Sequence, residues 1–236
     1  MDFILKDITV FFHFVVHHKK FFILFVPILF MVFPIINRFN IIPSKLQAVI
    51  EMIYEFLEDQ FRGLFKHDED YKKWMPFFLT IFYYILIHNM LGLIPENKPV
   101  TSDINITASL AIMVFLISIG VGVIKHGPLK YLASLTPSGI SLPFRITMFP
   151  IEVVSTFAKP FALAVRLFAN MTAGHLIILS MLKLTEVFSS IFFVPVSITM
   201  AMVMMLFELF VCLIQAFIFA YLSAIYITDS IYIGNH

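Results

Sequence analysis

The chain has 236 residues, of which 60% are hydrophobic and 13% charged, with a mean hydropathy of +0.95. Soluble globular domains run about 45–50% apolar and about 25% charged, so this composition excludes a soluble domain and indicates an all-α polytopic membrane protein. A formal net charge of +1 gives no footprint for nucleic acid, and the single cysteine, Cys212 in an apolar run, excludes a disulfide framework or a cysteine-rich metal site.

Near the start, Lys6, Lys19 and Lys20 surround a short apolar run. No small-residue cleavage site follows, so the segment is not read as a signal peptide. His13, His17 and His18 carry atoms that can bind a metal, but beside a membrane span they read as interfacial histidines. A span needs about 20 apolar residues, and the first that meets this is 21–37. Residues 43–67 follow a helical pattern but are charged: Ile50, Ile53, Tyr54, Leu57, Phe61 and Leu64 recur at helical spacing among Glu51, Glu55, Glu58, Asp59 and Arg62. That pattern predicts an amphipathic helix at the interface or against the protein. Spans are predicted at 74–94, with Trp74 as an interfacial anchor, and at 104–124.

Two longer apolar stretches close the chain, 143–182 and 187–228, joined by a short polar link holding Lys183, Thr185 and Glu186. At 1.5 Å per residue, each is about twice as long as the hydrocarbon core is thick. Each is therefore either a hairpin or one strongly tilted helix. Neither has a turn sequence near its middle, which favours two tilted antiparallel helices, the first bent at Pro150 and Pro160. The whole chain then forms a single membrane domain with about five crossings. Nine Lys and Arg fall on one side of it (Arg38, Lys45, Arg62, Lys66, Lys72, Lys73, Lys125, Lys130 and Arg145) and five on the other (Lys6, Lys19, Lys20, Lys98 and Lys183). The C-terminus is expected on the side with nine, which the positive-inside rule makes the cytoplasm or matrix.

The last two helices carry polar groups at membrane depth: Glu152, Arg166, Asn170, His175, Glu208 and Gln215. Arg166 is a permanent cation, and placing it there costs roughly 2.5 to over 10 kcal/mol. With the antiparallel turn near residue 191, Arg166 falls level with Gln215, His175 with Glu208, and Glu152 with Asp229. Titratable groups toward both faces read as proton-relay stations, and the fixed cation between them would block direct passage. Plainer readings stand beside this one. Asn170 and Gln215 can tie helices by hydrogen bonds, His175 can pack helices, and Glu208 can pair with Arg166, although the two are several residues out of level. Ala162, Ala164, Ala169, Ala173 and Gly174 are either ordinary packing residues or a smooth lane for another helix past Arg166.

Two runs carry a resemblance. Residues 157–175, Phe-Ala-Lys-Pro-Phe-Ala-Leu-Ala-Val-Arg166-Leu-Phe-Ala-Asn-Met-Thr-Ala-Gly-His175, resemble the signature helix of ATP synthase subunit a. Glu208-Leu-Phe-Val-Cys-Leu-Ile-Gln215 is similar to that family's last helix. Asn89-Met-Leu-Gly-Leu-Ile-Pro95 and Thr101-Ser-Asp103-Ile-Asn-Ile-Thr add weaker matches, so the likeness covers roughly residues 89–228.

The resemblance implies the proton-carrying stator of a membrane rotor motor. Its partners would be a ring of small hairpin proteolipids (subunit c), a peripheral stalk and other Fo subunits, in a lipid bilayer. It implies that Arg166 faces the ring carboxylate, that His175 and Glu208 line the inlet half-channel, and that Glu152 lies in the outlet. The chain would be non-catalytic alone, with no cofactor. The His-then-Glu order resembles mitochondrial members, and the 29 phenylalanines suit an AT-rich organelle genome. The expected location is therefore the mitochondrial inner membrane, with the C-terminus toward the matrix and a bacterial plasma membrane as the alternative. Competing classes are a secondary transporter, which internal repeats would favour, and a proton-relaying subunit of a respiratory complex.

Overall fold

A computed structural model describes residues 45–93, 100–134, 142–187 and 193–232 of the chain. The expected span at 21–37 and the three N-terminal histidines lie outside the described residues. Six α-helices are described: α1 (Lys45–Arg62), α2 (Asp68–Gly92), α3 (Ile104–His126), α4 (Pro128–Ser134), α5 (Leu142–Val187) and α6 (Phe193–Ile231). A 3₁₀ turn, Val100–Ser102, precedes α3. No strand occurs among the described residues, and four helices are long and apolar enough to cross a membrane: α2, α3, and most of α5 and α6.

The core forms where α2, α5 and α6 meet. Phe78 and Ile85 of α2, Leu163 and Leu167 of α5, and Ala216, Phe219, Ala220 and Ala224 of α6 are buried together. The alanines at every fourth position give α6 a flat face, and small residues let membrane helices approach closely. The amphipathic α1 buries Leu57 and Phe61, one turn apart, while Glu55, Asp59 and Gln60 stay exposed. Phe61 lies 5.4 Å from Phe78 and 6.3 Å from Tyr221, so α1 is pinned to α2 and α6 by aromatic contact.

Helix ends follow local chemistry. Asp68, Glu69 and Asp70 open α2, where acids suit the positive end of the helix dipole. This starts the helix six residues before the span read from hydropathy. Asp103 caps α3, its carboxylate accepting from the Asn105 amide at 2.9 Å. Gly127 ends α3 at φ 81°, a conformation open to glycine, and its amide donates to the Val123 carbonyl. The next helix, α4, folds back on α3, where Tyr131 sits against Gly122 in space that a Cβ would occupy.

Each long C-terminal stretch is one continuous helix rather than a hairpin. The polar link is not the turn: α5 runs through Lys183, Thr185 and Glu186 to Val187. Lys and Glu are good helix formers, and near the membrane surface their charges need no loop to reach water.

The positively charged side is held by a knot around Tyr232. Its hydroxyl donates to Asp70 (3.0 Å) and accepts from the amides of Lys66 (3.2 Å) and His67 (3.3 Å). The ammonium groups of Lys66 and Lys125 lie 5.5 and 5.3 Å from its ring centroid, and Lys125 reaches Asp70 at 3.5 Å. Nearby, His126 Nε2 donates to the Ile231 carbonyl, and the Ser118 hydroxyl bonds the Tyr226 carbonyl. Tyr232→Phe is expected to destabilise the fold by about 1–2 kcal/mol, since it strips a partner from Asp70 and two amides. A thermal scan of the purified protein checks this, and unchanged stability would mean water replaces the phenol. Partial burial, then the bond to Asp70, raise the Tyr232 phenol above its ordinary value of 10.0. A raised acid is most stabilising while it stays protonated, so the knot holds below pH 10 and loosens as pH climbs through the raised value.

Candidate functional site at the join of the two longest helices

α5 and α6 pack along much of their length. At 3.6 residues per turn, Glu152, Lys159, Arg166 and Asn170 recur at seven- and four-residue steps and share one stripe of α5. Glu208 and Gln215 share one stripe of α6, with Asp229 two further heptads on. Between the stripes Asn170 Nδ2 donates to Gln215 Oε1 at 2.8 Å. One turn outward, Cys212 Sγ meets Met171 Sδ at 3.9 Å. Beyond that, Glu208 presses on Gly174, and a Cβ at position 174 would overlap its carboxylate. Glu208 and Gln215 are buried, 6% and 2% exposed, and each keeps one polar atom, Oε2 and Nε2, with no partner among the described residues.

Arg166 stands differently. It is exposed on α5, and Ala162, Ala169 and Ala173, exposed on the same face, flank it above and below. The small-residue lane therefore exists, but with other members than the sequence suggested. Ala164 is buried in the core, and Gly174 is occupied by Glu208.

Several expected pairings shift. Gln215 is level with Arg166 by count, yet it is bonded to Asn170, one turn farther along. Asp229 has Lys159 as its ion-pair partner, at 4.0 Å, rather than Glu152. The observed register, fixed by Asn170–Gln215 and Gly174–Glu208, leaves Lys159 about one turn from the level of Asp229, within reach of its stem. Lys159 also lies 5.5 Å from the Tyr226 ring. Glu152 is half-buried, and its backbone carbonyl accepts from Thr156. His175 is half-buried and sits nine residues, about two and a half turns, beyond Arg166, so it lies on the opposite flank of α5. Lys159 escaped the sequence reading, although a second cation in the same apolar helix was signal enough to find it.

The two weak sequence matches form one joint. The Thr101 hydroxyl donates to Asn89 Oδ1 at 2.6 Å, and both residues are fully buried. The Val100–Ser102 turn carrying Thr101 packs against α2, α3 and α5.

These helices and their charged seam define an all-helical membrane protein with fixed and titratable charge between its two longest helices. Comparison with known families gives that class a narrower place. Residues 20–228 match the family described as ATP synthase A chain, and the chain belongs to it. A protein described as ATP synthase subunit a from Chloroherpeton thalassium is 40% identical over 198 residues, 84% of this chain and 59% of the relative. One from Rubrobacter xylanophilus is 40% identical over 192 residues, 78% of this chain and 71% of the relative. One from Hyphomonas neptunium is 37% identical over 206 residues, 84% and 79% of the two chains. The chain thus spans about three fifths of the length of the first of these.

These relatives are bacterial, so the mitochondrial reading is corrected. The His175-then-Glu208 order that prompted it has a local basis: Glu208 abuts Gly174, and His175 is the next residue. Exchanging an imidazole and a carboxylate between the two helices leaves the same two groups at the same level, so the order carries no mark of compartment.

Proposed function

We propose that this chain is the proton-translocating stator subunit of the membrane sector of an F-type ATP synthase, lying in a bacterial plasma membrane. The observation that carries the reading is Arg166, a permanent cation exposed on an alanine-lined face of a membrane helix. The bland alternatives for such a charge are a structural ion pair or a helix tie. Among the described residues, the seam gives its direct bonds to Asn170–Gln215 and Lys159–Asp229, while Arg166 stays exposed.

A partner helix bearing a carboxyl group would slide along the alanine lane into the reach of Arg166. In lipid the carboxyl prefers its neutral form, and beside the guanidinium it prefers the ionised form. It therefore releases a proton on approach and must regain one to leave. Glu208, with His175, would supply protons from the side of the α2 C-terminus. Glu152, near the Lys159–Asp229 pair, would accept them toward the Tyr232 side. Arg166 between the two prevents direct passage. Each charge moved across 100 mV supplies about 2.3 kcal/mol, which sets the direction of travel. A ring of small hairpin proteolipids and a peripheral stalk are the partners this mechanism requires.

The test is mild solubilisation of the native membrane followed by separation of intact complexes. Co-migration of this chain with ATPase activity and an abundant small hairpin proteolipid is the expected result. Migration alone, or with redox subunits, would overturn the reading in favour of a transporter or a respiratory subunit.

A further inference from the structure

Resting on that proposed function, we propose that His88 is an additional proton-relay residue, set in a buried row of polar atoms whose ligand is water. His88 lies near the C-terminal end of α2, is 1% exposed, and holds its Nδ1 2.7 Å from the Tyr84 carbonyl. A carbonyl only accepts, so Nδ1 carries the proton and the neutral ring presents a bare lone pair at Nε2. That Nε2 is buried and has no partner among the described residues.

It is not alone. Asn89 spends its Oδ1 on Thr101 and leaves Nδ2 buried and unpartnered. Gln215 spends its Oε1 on Asn170 and leaves Nε2 in the same state, as Glu208 does with Oε2. His88, Asn89 and Gln215 share a level, with Glu208 about two turns farther toward the outer side. From the Asp70–Tyr232 bond, 18 residues along α2 reach His88 and 17 back along α6 reach Gln215, both about 26 Å at 1.5 Å per residue. The helices pack along this length, and the turn bearing Thr101 bridges α2 to α5. The row mixes acceptors (Nε2 of His88, Oε2 of Glu208) with donors (the two amide nitrogens). Buried polar groups are satisfied as a rule, and water, a donor and acceptor small enough to enter, meets both needs.

Within this row only His88 and Glu208 can gain and lose a proton. A proton taken up by Glu208 from the outer side passes through water to His88 Nε2, forming an imidazolium while Nδ1–H stays on the Tyr84 carbonyl. The proton then leaves from the same Nε2, through water, toward the level of Gln215 and Arg166. The ring returns to its starting tautomer, with one proton taken up and one released. Nothing in the sequence pointed to this role, since a histidine in an apolar span reads as packing until its hydrogen bonds are known.

The experiment is ATP synthesis driven by an imposed proton gradient in vesicles carrying the whole complex. His88→Gln can still donate to the Tyr84 carbonyl but cannot carry a proton. It is expected to lower the rate about tenfold or more in an assembled complex, since positioned proton transfer contributes roughly a hundredfold or more. In His88→Ala, added imidazole is expected to restore part of the rate, which a packing role would not allow. A wild-type rate in assembled His88→Gln overturns the inference while leaving the stator reading intact. No gradient-driven synthesis by the wild-type complex overturns both. Should His88→Gln fail to assemble, diethylpyrocarbonate applied to the wild-type complex decides. Carbethoxylation of His88 supports water access, and an unmodified His88 beside a modified, exposed His67 overturns it.

Discussion

Arg166→Ala is expected to abolish proton-driven ATP synthesis, by about a hundredfold or more, with the complex still assembled. Removing one charge-stabilising group from a preorganised site costs about that much. The complex should also assemble, because Arg166 is exposed on α5. Without the cation, a partner carboxyl has no reason to ionise opposite the alanine lane, and the inlet and outlet groups lose the barrier between them. Two readouts separate these effects: synthesis under an imposed gradient, and passive proton leak through the complex. Arg166→Lys is also expected to fail largely, since an ammonium lacks the planar fork and can deprotonate in an apolar site. Coupled synthesis retained at the wild-type rate in Arg166→Ala would remove Arg166 from the mechanism.

Glu208→Gln is expected to slow gradient-driven synthesis by about tenfold to a hundredfold without opening a leak, the range in which a positioned proton-transfer group acts. The side chain is nearly isosteric, so the packing against Gly174 survives and only the capacity to hold a proton is lost. A companion variant reads the geometry rather than the chemistry. Gly174→Val places a Cβ where the Glu208 carboxylate lies, so the carboxylate must move while keeping its charge. It is expected to impair synthesis although no titratable group has changed. If synthesis and leak are both unchanged in Glu208→Gln, the proton does not pass through Glu208. If only Gly174→Val is silent, the position of the carboxylate matters less than its presence.

How legible the site was depends on which residue is asked about. The stripe of Glu152, Lys159, Arg166 and Asn170 is a matter of spacing along one helix, and spacing is printed in the sequence. The Asn170–Gln215 tie was among the sequence readings, but Gln215 was placed level with Arg166, one turn off, because counting back from an assumed turn fixes register only to a few residues. His88 was not legible at all. Its importance lies in an Nε2 left bare by a bond to Tyr84, on a helix far in sequence from Glu208. The Asn89 and Thr101 segments were noticed as two separate likenesses, and only folding makes them one joint.

The sequence by itself determined that this chain is an all-helical membrane protein, that its last two helices are long and antiparallel, and that a permanent cation lies within one of them. Those properties are sums over neighbouring residues, of hydropathy, of helical period and of charge, and such sums survive ignorance of the fold. Tertiary structure alone decided that Arg166 stays exposed, that Asp229 meets Lys159, and that Glu208 rests on Gly174. Those outcomes depend on how two helices are rotated and slid against each other. That rotation is set by many weak packing contacts spread over the whole interface, so no short segment of the chain encodes it.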